Sequence, residues 1–222
     1  MMDELEMGGD DMAKTLDELE IINRMLGGYS VVTHAIEKLL KENSEKKTIA
    51  LADLGCGGGD TLRVLAKWAR NKNIAIQITG IDANEFIVQY ATEKSKHFPE
   101  ISYMQQDIFS QEFAGRQYDI ITASLFTHHF TDEQLIKLFS QIKNQVRLGV
   151  VINDLHRHPF AYYSIKYITK CFAKSPLIKN DAPLSVARAF TKKDIVELLK
   201  RSGVENFSVK WRWAFRWQVI FK

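Results

Sequence analysis

Apolar residues recur at helical spacing across residues 16–43 (LDELEIINRMLGGYSVVTHAIEKLLKEN), with a break at Gly27-Gly28 that predicts helix, interruption, helix. The next apolar run, TIALADL (48–54), is short and ends in a glycine-rich loop, as a strand buried on both faces does. From there two periods alternate. DTLRVLAKWARN (60–71) reads as a helix, IAIQITGID (74–82) as a strand, NEFIVQYATEKSKHF (84–98) as a helix, and ISYMQQDIF (101–109) and YDIITASLF (118–126) as strands. A helix follows at 131–146, where Thr131 can cap the first turn and Asp132-Glu133 suit its positive end. RLGVVIND (147–154) is a fifth strand.

Strand–helix alternation over 48–154 predicts βαβ units, hence a parallel sheet with helices on both faces. The rhythm then changes. Residues 158–183 have no strand pattern and are rich in tyrosine and lysine, which predicts an inserted helix and loop. Residues 191–203 read as a capped helix ended by Gly203, and 204–213 and 215–222 as two tightly joined antiparallel strands. The expected fold class is therefore α/β: a seven-stranded, mostly parallel, doubly wound sheet whose last strand is antiparallel. A flexible acidic arm is expected over 1–15, then one domain over 16–222 with N-terminal helices at 16–43 and a helical lid over about 156–185.

A chain of 222 residues can bury a full single core. Cys56 and Cys171 lie far apart and suggest no disulfide framework, so a reducing cytoplasm is expected. No apolar run reaches the ~18 residues of a membrane span, and the acidic start is unlike a signal peptide. Charge is uneven: residues 1–20 carry −7 and the rest +10. A basic remainder leaves RNA or an anionic membrane surface open as partners, yet no short Lys/Arg cluster favours nucleic acid. Peripheral membrane contact stays open, and the sequence does not speak to oligomeric state.

The loop DLGCGGG (53–59) sits between the first strand and the helix at 60. Missing side chains let backbone N–H groups approach a ligand, and the helix start favours a negative group. A phosphate-binding P-loop needs a Gly-Lys pair, which is absent. A dinucleotide fingerprint would put Asp60 at the third glycine position, a carboxylate facing a pyrophosphate. What fits is a GxGxG loop with an acid two places before it.

ADLGCGGGD resembles the first motif of class I S-adenosylmethionine-dependent methyltransferases. That resemblance implies S-adenosylmethionine as cofactor and assigns Asp53, Gly55, Cys56 and Gly57 to its methionine and ribose portion. It places an acid, Asp82, with Ala83, at the end of strand two, where two oxygens can accept from both ribose hydroxyls. Asp107 and Ile108 would meet the adenine, and Ser124 would stand at the end of strand four. All fall at the ends of parallel strands, where such sheets bind ligands. The [ND]-P-P-[YFW] signature of base amino-methylation is missing from TASLFTHHF. INRMLGGYSVV and NDLHRHPFAYY…SVARAFTKKDI resemble a bacterial subgroup found alongside polyketide synthases. The implied reaction is O-methylation of a small hydroxylated aromatic or polyketide-like acceptor. The alternatives are C-methylation of a quinone-type ring, a non-catalytic binding domain, or RNA methylation.

Four of six histidines fall in THHF (127–130) and DLHRHPF (154–160), after strands four and five. Adjacent His128-His129 and the pair His156/His158 do not supply a zinc spacing, so no metal is expected. Histidine can take the proton of a phenol near neutrality, which makes His129 and His156 the candidate bases. His128, Tyr163 and Arg188 are candidate substrate contacts, and Asp154 could orient a histidine or cap the next helix. Arg24 and Gly27-Gly28 are placed near the cofactor, and Trp211, Trp213 and Trp217 in packing.

Overall fold

The computed structural model describes residues 8–42, 48–173 and 175–222. Seven strands form one sheet: β1 Ile49–Leu54, β2 Ile76–Asp82, β3 Ile101–Gln105, β4 Tyr118–Ser124, β5 Val146–Leu155, β6 Phe207–Arg212 and β7 Arg216–Phe221. Their order is β3-β2-β1-β4-β5-β7-β6. All neighbours from β3 to β5 pair in parallel, and β7 is antiparallel to both β5 and β6. β1 and β4 carry almost unbroken apolar runs because both faces are covered, whereas the edge strands β3 and β6 are only half-buried.

Nine helices flank the sheet among the described residues: α1 Asp10–Met25, α2 Gly28–Lys41, α3 Asp60–Asn71, α4 Glu85–Lys94, α5 Gln111–Ala114, α6 Asp132–Ile142, α7 Pro159–Phe172, α8 Pro176–Arg188 and α9 Lys192–Arg201. In α3, Leu62, Leu65, Ala66 and Ala69 recur at helical spacing and are buried with Val32, Ile36 and Leu39 of α2 against one sheet face. On the other face Leu135, Leu138 and Phe139 of α6 join Ile195, Leu198 and Leu199 of α9. Truncating one of these leucines to alanine is expected to cost about 2–5 kcal/mol. Thr131 and Thr191 each close a reciprocal capping box, which sets the starts of α6 and α9.

Three boundaries differ from expectation. α1 already begins at Asp10, inside the stretch expected as an arm; residues 1–7 of that arm, and Lys174 of the lid segment, lie outside the described residues. β3 stops at Gln105, because the Asp107 carboxylate accepts the Phe109 N–H and Ser110 caps the short α5. The segment over the sheet end is two helices, α7 and α8, each opened by a proline at its first turn.

The site is framed by α1, which packs Met12 and Leu16 on Ile87 of α4 and ties Thr15 and Glu18 to Ser175 ahead of α8. It thus crosses above the carboxyl ends of the parallel strands. Because β7 runs backwards, its first residue, Arg216, reaches that same end opposite Leu155.

Candidate active site

The loop after β1 turns through glycines with positive φ. At Gly57 (φ +50) a Cβ would meet nothing within 4 Å, so the backbone there faces open space; at Gly55 (φ +63) a Cβ would lie 2.0 Å from the Phe126 ring. Leu16 of the α1 roof lies near Gly58. Cys56 turns inward: its N–H donates to the Ile81 carbonyl at 3.1 Å, and burial pushes its thiol well up. It therefore presents backbone only on the open side of the loop.

Two carboxylates line the loop. Asp82 at the tip of β2 accepts the Gly57 N–H (3.3 Å) and the Asn84 N–H (3.0 Å). Burial pushes its pKa up, and these backbone donors partly offset that. Asp53 at the tip of β1 is 2% exposed, and its hydrogen bond in the structure comes from the Thr122 hydroxyl at 2.6 Å. Burial lifts its pKa to about 7. Next to Asp82, the Ala83 carbonyl accepts the Gln105 amide at 3.3 Å. Asp107 is exposed and Ile108 is buried in the core beneath it.

The histidines divide differently from the sequence expectation. Thr127–His129 form a single 3-10 turn after β4. His128, the residue expected only as a substrate contact, is buried and its Nδ1 lies 2.7 Å from Asp154 Oδ1. Asp154 also accepts from the Thr127 hydroxyl and from the N–H groups of His128 (3.2 Å) and Leu155 (2.7 Å). Burial alone would raise the Asp154 pKa, but His128 and these donors bring it down to about 2. An ionised Asp154 orients the ring by accepting from Nδ1–H, and in a neutral imidazole so held the acceptor is Nε2. His128 Nε2 is buried without a partner.

His129 is exposed and lies tilted against His128, ring centres 4.2 Å apart. His156 lies among aromatic rings, 4.7 Å from Trp217 and 5.4 Å from His158. Its pKa is lowered, first by burial and then by His158. Tyr163 is 57% exposed on α7, Arg188 is exposed at the end of α8, and Arg24 pairs with Glu20 at 2.7 Å. None of the three is drawn into the group formed by Asp53, Asp82, His128 and Asp154.

Sequence reasoning missed a second group. Asp60, the first residue of α3, accepts from the Tyr29 hydroxyl (2.7 Å) and the Asn23 amide (3.2 Å), and Asn23 in turn accepts from Arg216 (3.1 Å). These four residues come from α1, α2, α3 and β7, a convergence with no local motif. The available signal was Arg216 itself, a lone cation in the apolar stretch FRWQVIF.

Buried side-chain atoms without hydrogen-bond partners mark the same place. Among the described residues they occur on Gln106, Arg116, Ser124, His128, Asn153, His156 and Arg216. All but Arg116 lie at the carboxyl end of the parallel strands. Buried polar groups are normally paired, so this concentration marks a site shaped for a polar ligand.

Residues 51–149 match the methyltransferase domain family. The chain is 22% identical to the ubiquinone/menaquinone biosynthesis C-methyltransferase UbiE of Campylobacter jejuni, covering 74% of each chain. It is 23% identical to the carboxy-S-adenosyl-L-methionine synthase of Nautilia profundicola, over 96% of this chain and 93% of that one. Among solved structures it resembles an S-adenosylmethionine-dependent methyltransferase from Aquifex aeolicus, with TM-score 0.63, 18% identity and coverage of 94% and 97%. Residues 51–149 thus carry a methyltransferase domain, and the chain as a whole shares the fold of S-adenosylmethionine-dependent methyltransferases. Among the described residues no helix is long and apolar enough to cross a membrane.

Proposed function

We propose that this enzyme methylates an acidic oxygen, a phenol or enol, on a small aromatic or polyketide-like acceptor. The observation that carries the reading is the Asp154–His128 pair, with Nε2 of the histidine buried and unpartnered at the carboxyl end of the sheet. A carboxylate that holds one imidazole nitrogen leaves the other as a proton acceptor, and such general bases contribute about 10²–10⁴-fold. This reading moves the base from His129 and His156 to His128.

The open backbone at Gly57 and the carboxylates around it fit S-adenosylmethionine, which supplies an electrophilic methyl on a sulfonium. Asp82 keeps lone pairs beyond those taken by Gly57 and Asn84, and is assigned to the ribose hydroxyls. Asp53, with one neutral donor in the structure, is assigned to the cofactor's ammonium. Gly55, Cys56, Gly57, Ala83 and Ser124 line the cofactor through backbone or short side chains, and Asp107 and Ile108 stand at the adenine end. The α1 roof and α8, which packs on the Thr127–His129 turn, exclude water, so alignment of oxygen and methyl carries much of the rate.

The similarity to UbiE favours a second reading in which the same base frees a ring carbon for C-methylation. Incubation with methyl-¹³C-labelled cofactor and a panel of phenols, catechols and hydroquinones tests both. The ¹³C shift of the product separates an O-methyl from a C-methyl group. No label transferred to any member of the panel contradicts this acceptor class.

A further inference from the structure

Arg216 is the largest of the fully buried side chains, at 1% exposed. It opens β7 and sits opposite Leu155 at the carboxyl end of the parallel strands. Gln218, two residues on, points to the α2 side, donating to the Val31 carbonyl at 2.6 Å. Alternation along the strand puts Arg216 on that side too, under the α1–α2 junction. Its Nη2 donates to the Asn23 side-chain oxygen at 3.1 Å, while Nε and Nη1 are buried with no partner. A Cβ on Gly28 would lie 3.0 Å from Nη1 and 2.0 Å from the Asn23 oxygen, so the absence of a side chain there makes room for the guanidinium.

A buried guanidinium with one neutral partner is costly, since an unpaired charge loses its water without compensation. Asp154, Tyr29 and Asp60 act on it only through space. Burial lowers its pKa to about 10, which leaves it protonated at neutral pH. Four of its five N–H groups point to no acceptor in the protein, and Nη1 together with the second N–H of Nη2 forms the planar fork that a carboxylate matches. Asn153 approaches Gly28 from the neighbouring strand, donating to its carbonyl at 3.3 Å, and its own side-chain oxygen is unpartnered.

We propose that Arg216 is the carboxylate receptor of this site, clamping the carboxylate of a ligand bound at the carboxyl ends of β1, β4 and β5. The inference rests on the methyltransferase reading and names the chemistry its ligands must carry. Two ligands bring a carboxylate: the methionine portion of the cofactor, and an aromatic acid acting as acceptor.

Calorimetry on the wild type, Arg216→Gln and Arg216→Lys separates the sources. The first ligand pair is S-adenosylhomocysteine and its decarboxylated analogue. The second is 4-hydroxybenzoate and 4-hydroxybenzamide, each added to S-adenosylhomocysteine-loaded protein. If the clamp holds the cofactor, the wild type prefers S-adenosylhomocysteine over the analogue by about 10–100-fold, and Arg216→Gln abolishes the preference. If it holds the acceptor, cofactor affinity is unchanged by Arg216→Gln and the preference for the benzoate over the amide is lost. Arg216→Lys keeps the charge without the fork and carries the test should Arg216→Gln fold poorly; it loses most of the preference in the same pair. A wild type that prefers neither carboxylate, or a preference that survives both substitutions, overturns the proposal. A wild type that does not bind S-adenosylhomocysteine at all overturns instead the reading on which it rests.

Discussion

Asp53 at the tip of β1 and Asp154 at the tip of β5 are equally buried, 2% and 1% exposed, yet their acidities diverge. Asp154 is drawn down to about 2 and Asp53 pushed up to about 7. Burial raises both; the difference is the company each keeps. Asp154 has a histidine, a hydroxyl and two backbone N–H groups, whereas Asp53 has the Thr122 hydroxyl. The tip of β5 is thus a completed hydrogen-bonded pair, proposed above to hold the base, and the tip of β1 lacks the counter-charge that the proposed cofactor ammonium would bring.

The most disruptive way to break this comparison is Asp154→Asn. Turnover should fall by about 10²–10⁴-fold, as for loss of an oriented general base. Unfolding in urea should show a loss of about 1–3 kcal/mol, because donors now face an amide. Normal turnover would remove the β5 tip from the chemistry. Next comes Asp82→Ala, which should weaken S-adenosylhomocysteine binding by about 10–100-fold in calorimetry, the scale of hydrogen bonds to a charged group.

A pH series sharpens the β1 side. Below pH 7 Asp53 is largely protonated, and above it ionised, so affinity for the ammonium-bearing S-adenosylhomocysteine should rise by about tenfold between pH 6 and 8. Asp53→Asn should flatten that rise. The sign for stability is opposite. A carboxyl with a raised folded pKa stabilises fully below its unfolded value of about 3.9 and loses that contribution as pH climbs through about 7. Asp53→Asn should therefore melt no lower than the wild type at pH 8, and a lower melting point would mean the ionised form is structurally needed. The smallest effect is expected at His156, which meets Trp217 edge-to-face and whose lowered pKa traces to burial and His158 rather than to a carboxylate. His156→Ala should keep turnover within about threefold in initial-rate assays, and a larger loss would restore it as the base.

What the chain revealed in advance was local. A glycine loop bounded by Asp53 and Asp60, and an acid closing a strand at Asp82, can be read because each sits within a few residues of the strand end that positions it. All seven strands were readable from their apolar runs for the same reason. The histidines were not separable in this way. His128 and His129 are neighbours in sequence, and only the fold, by laying β5 beside β4, brings Asp154 to one of them. Arg216 was less legible still: its hydrogen-bond partner Asn23, with Tyr29 and Asp60 behind it, lies more than a hundred positions away, and its aromatic neighbours disguised it as packing. α1 passed as a partial arm because its acidic first turn resembles a solvated tail, while its contacts lie on α4 and α8.

The most direct measurement is the ratio of kcat/KM for the wild type and His128→Asn on the best phenolic acceptor from the labelled panel, with S-adenosylhomocysteine affinity measured alongside. The expected outcome is a fall of about 10²–10⁴-fold in kcat/KM with cofactor affinity unchanged within about threefold. Equal rates, or a loss that follows cofactor affinity alone, would contradict the assignment of His128 as the base held by Asp154.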